Sequence, residues 1–217
     1  MKLQGARVAI TGASSGIGEA AAVAFASQGA QVFVAARREG RLEALAQRCR
    51  EAGGAAHVTR LDVRDHQAVQ RWASDIEALG GCDIAIANAG VMWLGPLLDM
   101  PVEEIEHQYA VNVHGLINTL QAFGQGMRRR GSGILMPVSS VLAVASVAHY
   151  GAYCGTKHAV RAMVACLRQE LSGSGVDVVH ILPGATESEI HSHMATERVP
   201  VQTREARRVP AAQVANA

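Results

Sequence analysis

The sequence has no surplus of either charge. Lys and Arg total 20, Asp and Glu 19, for a formal net charge of +1 at pH 7. A nucleic-acid platform or a binder of anionic membranes needs a basic surplus on one face, so both are disfavoured. Long apolar runs are missing too. Stretches such as 141–148 fall far short of the roughly 20 residues that span a bilayer. Cysteine is scarce. Cys49, Cys82, Cys154 and Cys166 show no CxxC spacing, which disfavours a metal site or a disulfide framework and predicts four buried or half-buried thiols in a reducing cell. Met1-Lys2-Leu3-Gln4-Gly5 leads straight into a strand-like run with no secretory leader before it. The expected compartment is therefore the cytoplasm. No internal repeat, low-complexity segment or linker interrupts the chain.

What is present is a chain of 217 residues, 49% hydrophobic and 18% charged, with 22 Gly and 6 Pro. These fractions exclude disorder, collagen-like repeats and a coiled coil. The length predicts one domain over 1–217, able to bury roughly 70% of its unfolded surface.

Short β-branched runs alternate with helical stretches. Strands are expected at 7–11, 31–35, 56–61, 83–87, 133–138 and 176–182, and helices at 15–27, 38–52, 65–79, 101–130 and 150–171. Pro101 suits the first turn of its helix, where a missing N–H costs nothing. Such alternation needs crossover connections, so the sheet should be parallel and covered on both faces. The strands are nearly continuous apolar runs, as burial on two sides requires. From about Ser188 the chain turns polar, and 210–217 reads as a helix beginning.

The first strand runs into Thr11-Gly12-Ala13-Ser14-Ser15-Gly16-Ile17-Gly18 and then a helix. Gly12 permits a tight turn, Gly16 lets backbone approach a pyrophosphate, and Gly18 permits close helix–sheet contact. The helix start supplies unpaired N–H groups and about +0.5 charge for an anion. The spacing is GxxxGxG rather than GxGxxG. At the end of the second strand stands Ala35-Ala36-Arg37-Arg38. An NAD site usually has an acid here and an NADP site an Arg for the 2′-phosphate. Ala36 offers no carboxylate; Arg37 offers a guanidinium fork. Arg37, Arg38 and Arg41 also suit a solvated helix start, and Glu39 suits a helix N-terminus as well as it suits a ribose.

Tyr153 and Lys157 are four apart on an expected helix and share a face. A phenol with pKa ~10 exchanges protons poorly near neutrality, and a neighbouring ammonium should bring it down toward a useful range. Tyr150 has no Lys at that spacing. Ser139 and Ser140 end the fifth strand, where ligands gather in open parallel sheets. There is no GxSxG elbow for a nucleophilic serine.

Taken in order, Thr11 to Gly18, Asp62-Val63, Asn88-Ala89-Gly90, Asn112, Ser140, Tyr153-x-x-x-Lys157 and Pro183-Gly184 resemble the short-chain dehydrogenase/reductase family from Leu3 to about Ser188. The separation of Ser140 from Tyr153 is the family's usual one and favours Ser140 over Ser139. The resemblance implies an α/β fold: a Rossmann-like, doubly wound parallel sheet in three layers, order 3-2-1-4-5-6. It implies that the turn residues Gly12, Ser14, Ser15, Gly16, Ile17 and Gly18 hold a dinucleotide. Arg37 and Arg38 would lie at its phosphate end. Asp62 would hold the adenine amino group beside Val63, and Asn88, Ala89 and Gly90 would lie under the ribose. Tyr153 would be the acid/base, with Ser140 orienting the substrate oxygen. Lys157 would hold the nicotinamide ribose and depress the Tyr153 pKa. Asn112 would hold a water leading from Lys157 to solvent. Pro183, Gly184, Thr186 and Ser188 would meet the nicotinamide; the family often has Val and Thr at the last two.

The activity so implied is hydride transfer between NADP(H), with NAD second choice, and a small carbonyl or alcohol. A non-catalytic nucleotide sensor or scaffold is the alternative, and it has no need of Ser140, Tyr153 and Lys157. The segments 92–94, 141–144 and the loop from Glu189, with His149, would surround an apolar substrate. Arg128 to Arg130 read as a solvated helix end, and His191 and His193 as a loop pair rather than metal ligands. Family members commonly continue into a seventh strand. Here the sequence stops at Ala217 as a helix starts, so that strand is expected to be missing, the chain being either shortened or continued elsewhere. A homodimer or homotetramer is expected, packed through the helices at 101–130 and 150–171.

Overall fold

The computed structural model describes residues 2–187, 189–190 and 208–216. β1 (Arg7–Thr11), β2 (Gln31–Ala36), β3 (Ala55–Arg60), β4 (Ile84–Ala87), β5 (Gly133–Pro137) and β6 (Val176–Val178) form one sheet. Its order is β3-β2-β1-β4-β5-β6, all pairs parallel. This is the Rossmann-like arrangement, with the chain reversing direction across the sheet between β1 and β4. Strand ends that meet at such a reversal leave a crevice at their carboxyl edge.

Alternation along the strands divides the core in two. Val8, Ile10, Val32, Val34, Ile84 and Ile86 pack against α1 (Gly16–Ser27) and α2 (Glu39–Glu51). Ala9, Phe33, Ala85 and Leu135 face the opposite way, against α3 (His66–Ala78), α5 (Leu116–Arg130) and α6 (Gly151–Glu170). A short α7 (Ala211–Ala215) stands where the sequence begins a helix, and Ala215 packs on the α1 side.

Three expectations change. The helix expected over 101–130 is α4 (Val102–Tyr109), a π-helical turn Ala110–Gly115, and then α5. Such turns interrupt a helix where a residue is held out of register, and the residue held here is Asn112. The strand expected over 176–182 keeps its ladder only to Val178, then meets Val138 again at Ile181. Pro137 of β5 has no N–H to give at that point, so the ladder lapses and resumes beyond it. Cys49, Cys82 and Cys154 are buried, but Cys166 is exposed. It lies two residues past the buried Val164 and so points away from the sheet. Among the described residues no helix is long and apolar enough to cross a membrane.

Candidate active site

A cavity of about 870 Å³ opens along the carboxyl edge of the sheet, between the β1–α1 turn and α6. Its first wall is the glycine-rich turn. Gly12 has φ +67° and Gly16 φ +58°, a region that favours glycine. A Cβ on Gly12 would sit 2.6 Å from the Ala89 Cα, and one on Gly18 2.5 Å from the Asn88 Nδ2. The turn is therefore seated directly on the end of β4. Asn88 fastens it there: its Nδ2 donates to the Thr11 carbonyl at 3.0 Å and the Gly12 carbonyl at 3.3 Å. Thr11 Oγ1 accepts from the Asn88 and Ala89 N–H groups in return. Ser15 occupies the N-cap of α1 without its side chain capping the first turn, so those N–H groups have no hydroxyl acceptor there. Gly12, Ser14, Ser15, Gly16 and Ile17 line the cavity. Gly18 lies behind it.

Charge gathers beside this turn. Arg38 donates to Ser14 Oγ through Nε (3.2 Å) and Nη2 (3.0 Å), and to Ser15 Oγ at 3.0 Å. Its Nη1 meets Glu189 at 2.6 Å, and Arg41 meets the same carboxylate at 2.7 Å. Arg37 lines the cavity near Asp62. The Asp62 carboxylate accepts from Arg64 Nη2 at 2.6 Å and Nε at 3.0 Å, which holds it below the usual carboxylate range. Arg64 did not stand out in the sequence, and Glu189 only as the start of a loop near the substrate, not as a partner of Arg38 and Arg41. Each partner's significance depends on a turn of chain or a distant loop that spacing alone does not bring to the cavity.

The opposite wall is buried. Tyr153 and Lys157 are 7% and 4% exposed, with the Lys157 Nζ 5.4 Å from the centre of the phenol ring. Ser140 leaves β5 in extended conformation, its Oγ accepting from the Leu142 N–H at 3.1 Å. Of the two serines it is Ser140 whose hydroxyl acts on Tyr153, drawing the phenol pKa down. Ser139 also lines the cavity, but its hydroxyl donates to the Lys157 carbonyl at 3.5 Å.

The expected depression of the Tyr153 pKa does not occur. Burial pushes the phenol up to about 12, against a smaller downward pull from Ser140. The same burial brings Lys157 down to about 8. Desolvation disfavours the charged form of each group and sets the direction of both shifts.

Asn112 is fully buried and does not line the cavity. Its Oδ1 accepts from the Val91 N–H, and its Nδ2 donates to the Val91 carbonyl and to Thr156 Oγ1. Both amide hydrogens are thus used within the protein. The side chain clamps the loop that follows Asn88-Ala89-Gly90 onto α6. Val63, Asn88, Ala89, Gly90, Pro183, Gly184 and Thr186 all reach the cavity. Thr186 Oγ1 donates to the Gly184 carbonyl at 3.0 Å. Ser188, His191 and His193 lie outside the described residues. Of the apolar segments expected round a substrate, Met92, Val141, Leu142 and Ile190 line the cavity, joined by Val147 and Tyr150. Trp93, Leu94, Val144 and His149 do not.

Residues 6–198 match the family described as short chain dehydrogenase. The chain belongs to that family. A probable oxidoreductase of Mycobacterium tuberculosis, EphD, is 38% identical over 185 residues, which cover 84% of this chain and 31% of the relative. This chain thus spans about a third of that protein's length. Among solved structures, an alcohol dehydrogenase from the archaeon Thermococcus sibiricus, complexed with 5-hydroxy-NADP, is 29% identical with a TM-score of 0.87. The match covers 98% of this chain and 88% of that one. A family member from Burkholderia phymatum in complex with NAD is 26% identical with a TM-score of 0.89, covering 100% and 85%. The six-stranded order found here is the one expected of a short-chain dehydrogenase.

Proposed function

We propose that this short-chain dehydrogenase is an NADP(H)-dependent oxidoreductase that moves hydride between the nicotinamide and a carbonyl or secondary alcohol. The chain acts as one dinucleotide-binding and catalytic unit. One observation carries the reading: Ser140, Tyr153 and Lys157 open onto the same cavity as the glycine-rich turn. A nucleotide sensor would use the turn and leave the buried phenol and amine without work.

The wall residues fit such a nucleotide. The Gly12 approach leaves no room for a Cβ, and the uncapped first turn of α1 is free to meet a phosphate. Gly12 to Ile17 would hold the pyrophosphate, with Asp62, Val63, Asn88, Ala89 and Gly90 toward the adenosine. Pro183, Gly184 and Thr186 would lie toward the nicotinamide. The preference for NADP(H) rests on the missing carboxylate at Ala36 and on Arg37 and Arg38, which line the cavity beside Ser14. When bound, the nicotinamide supplies or accepts the hydride.

The chain's own residues handle the oxygen. Ser140 and Tyr153 donate hydrogen bonds to it as negative charge grows there, and Tyr153 then passes it the phenol proton. With its pKa near 12, Tyr153 holds that proton throughout the neutral range. Lys157, largely protonated below about 8, opposes the charge left on the phenolate and would hold the nicotinamide ribose. Met92, Leu142 and Ile190 favour an apolar substrate.

The test is consumption of NADPH and NADH against a panel of apolar ketones and aldehydes, beside direct nucleotide binding. NADPH consumption with members of the panel is the expected result. Tight nucleotide binding without turnover anywhere on it would transfer the assignment to a sensor. Failure to bind either nucleotide would overturn the reading altogether.

A further inference from the structure

Glu189 has no part in the reaction just described, yet both its carboxylate oxygens are engaged. Oε2 accepts from Arg38 Nη1 at 2.6 Å and Oε1 from Arg41 Nη1 at 2.7 Å. Arg38 in turn donates to the hydroxyls of Ser14 and Ser15 on the glycine-rich turn. A carboxylate 151 positions away in the chain therefore closes a cationic corner of the cavity.

We propose that Glu189 is a built-in competitor for the phosphate that distinguishes NADP(H) from NAD(H), and so a specificity-determining residue. The proposal rests on the nucleotide reading given above. Carboxylate and phosphate satisfy a guanidinium fork in the same way, through paired charge-assisted hydrogen bonds. With Nε and Nη2 of Arg38 given to Ser14 and Ser15, Glu189 and a phosphate would both draw on Nη1 and its charge. A phosphate at this corner must displace Glu189 or share its cations, whereas a nucleotide without that phosphate leaves the bridge intact. Glu189 thus weakens one cofactor more than the other. The two arginines hold its pKa below the usual carboxylate range, so the competitor stays charged at neutral pH. The same contact ties the cavity's edge to its centre, because the adjoining Ile190 packs with Met92 and Tyr153.

The size of the effect follows from exposure. The Arg38 and Glu189 side chains are 46% and 41% exposed, and ion pairs in such settings are screened by water and salt. Removing the charge should therefore change selectivity about two- to fivefold.

The experiment measures affinities for NADP⁺, NADPH, NAD⁺ and NADH by calorimetry for wild type, Glu189→Gln, Arg38→Ala and the double variant. Glu189→Gln should raise the ratio of NADP(H) to NAD(H) affinity about two- to fivefold. The gain should shrink at high salt and vanish when Arg38 is already Ala. An unchanged or lowered ratio in Glu189→Gln, with NADP(H) bound by wild type, would overturn this proposal and leave the cofactor assignment standing. A gain that persists in the Arg38→Ala background would overturn it too. Wild type binding neither nucleotide would remove both.

Discussion

At the β1–α1 end of the cavity the working groups are backbone N–H donors, glycines at positive φ and half-exposed arginines. At the α6 end they are a phenol, an ammonium and a hydroxyl, nearly all of their surface removed from water. The first end gets its character from local geometry: a short run of residues fixes the turn, and water screens its charges. The second gets it from burial, which raises the cost of every charge placed there. The anion recognition proposed for the turn tolerates solvent because many weak donors would share it. Proton transfer needs a group whose charged form responds strongly to its surroundings, and only a dry wall supplies that.

The largest expected effect lies on the dry wall. Tyr153→Phe keeps the ring and the packing but removes the proton. Turnover should fall about 10³-fold, with nucleotide affinity changed less than about threefold, because the ring and its packing stay and one hydroxyl is lost. Steady-state kinetics beside calorimetry checks both. Retained activity would erase the contrast between the two ends. On the proposed mechanism wild-type alcohol oxidation draws on the phenolate, so its rate should climb with pH across the range below the raised phenol pKa. Ketone reduction uses the phenol and should not.

At the wet wall the glycine turn should break almost as sharply. Gly12→Ala places a side chain at φ +67° and 2.6 Å from the Ala89 backbone. The expected loss is about 2–4 kcal/mol of stability, read by urea denaturation, together with weaker nucleotide binding.

Lys157→Met should separate stability from activity. The folded protein holds the ammonium at about 8 against an ordinary value of 10.5. Between those values the unfolded chain binds more protons, so stability rises with pH and is lost as pH falls through 8. At about 1.4 kcal/mol per pH unit, Lys157→Met should stabilise the protein at pH 7 by on the order of 3–4 kcal/mol. It should also flatten the rise between pH 8 and 10 while turnover collapses. Denaturation curves across that range decide it. A variant less stable than wild type at pH 7 would mean that the amine is not a burial cost.

The smallest effect separates two neighbours. Arg38→Ala should lower NADPH affinity about tenfold, and Arg37→Ala less, because only Arg38 has its fork fixed by Ser14 and Ser15. Comparing NADPH with NADH in both variants sharpens the picture of the wet wall. Equal affinity for NADPH in all three proteins would remove the arginines from cofactor choice.

Much of the frame was legible because its signals are local. Strand and helix alternation, the turn from Thr11 to Gly18 and the Tyr153–Lys157 spacing each lie within a few residues. What escaped had partners far apart. Pro137 ends a ladder on another strand, and Asn112 clamps Val91 through a helix bulge. Arg64 reaches back to Asp62 only through the turn that the fold gives it, and Glu189 crosses from a distant loop. The exposed Cys166 escaped for a simpler reason, since only the packed helix shows which face it presents.

By itself the sequence determined the parallel sheet, the glycine turn at its edge and which residues are available to move a proton. Those follow from residue-level sterics and from periodicity, which need no knowledge of the rest of the chain. The tertiary structure alone decided the protonation behaviour of Tyr153 and Lys157 and the partner of Arg38. Desolvation depends on everything packed around a group, and a charge pair depends on which distant segments the fold brings within reach.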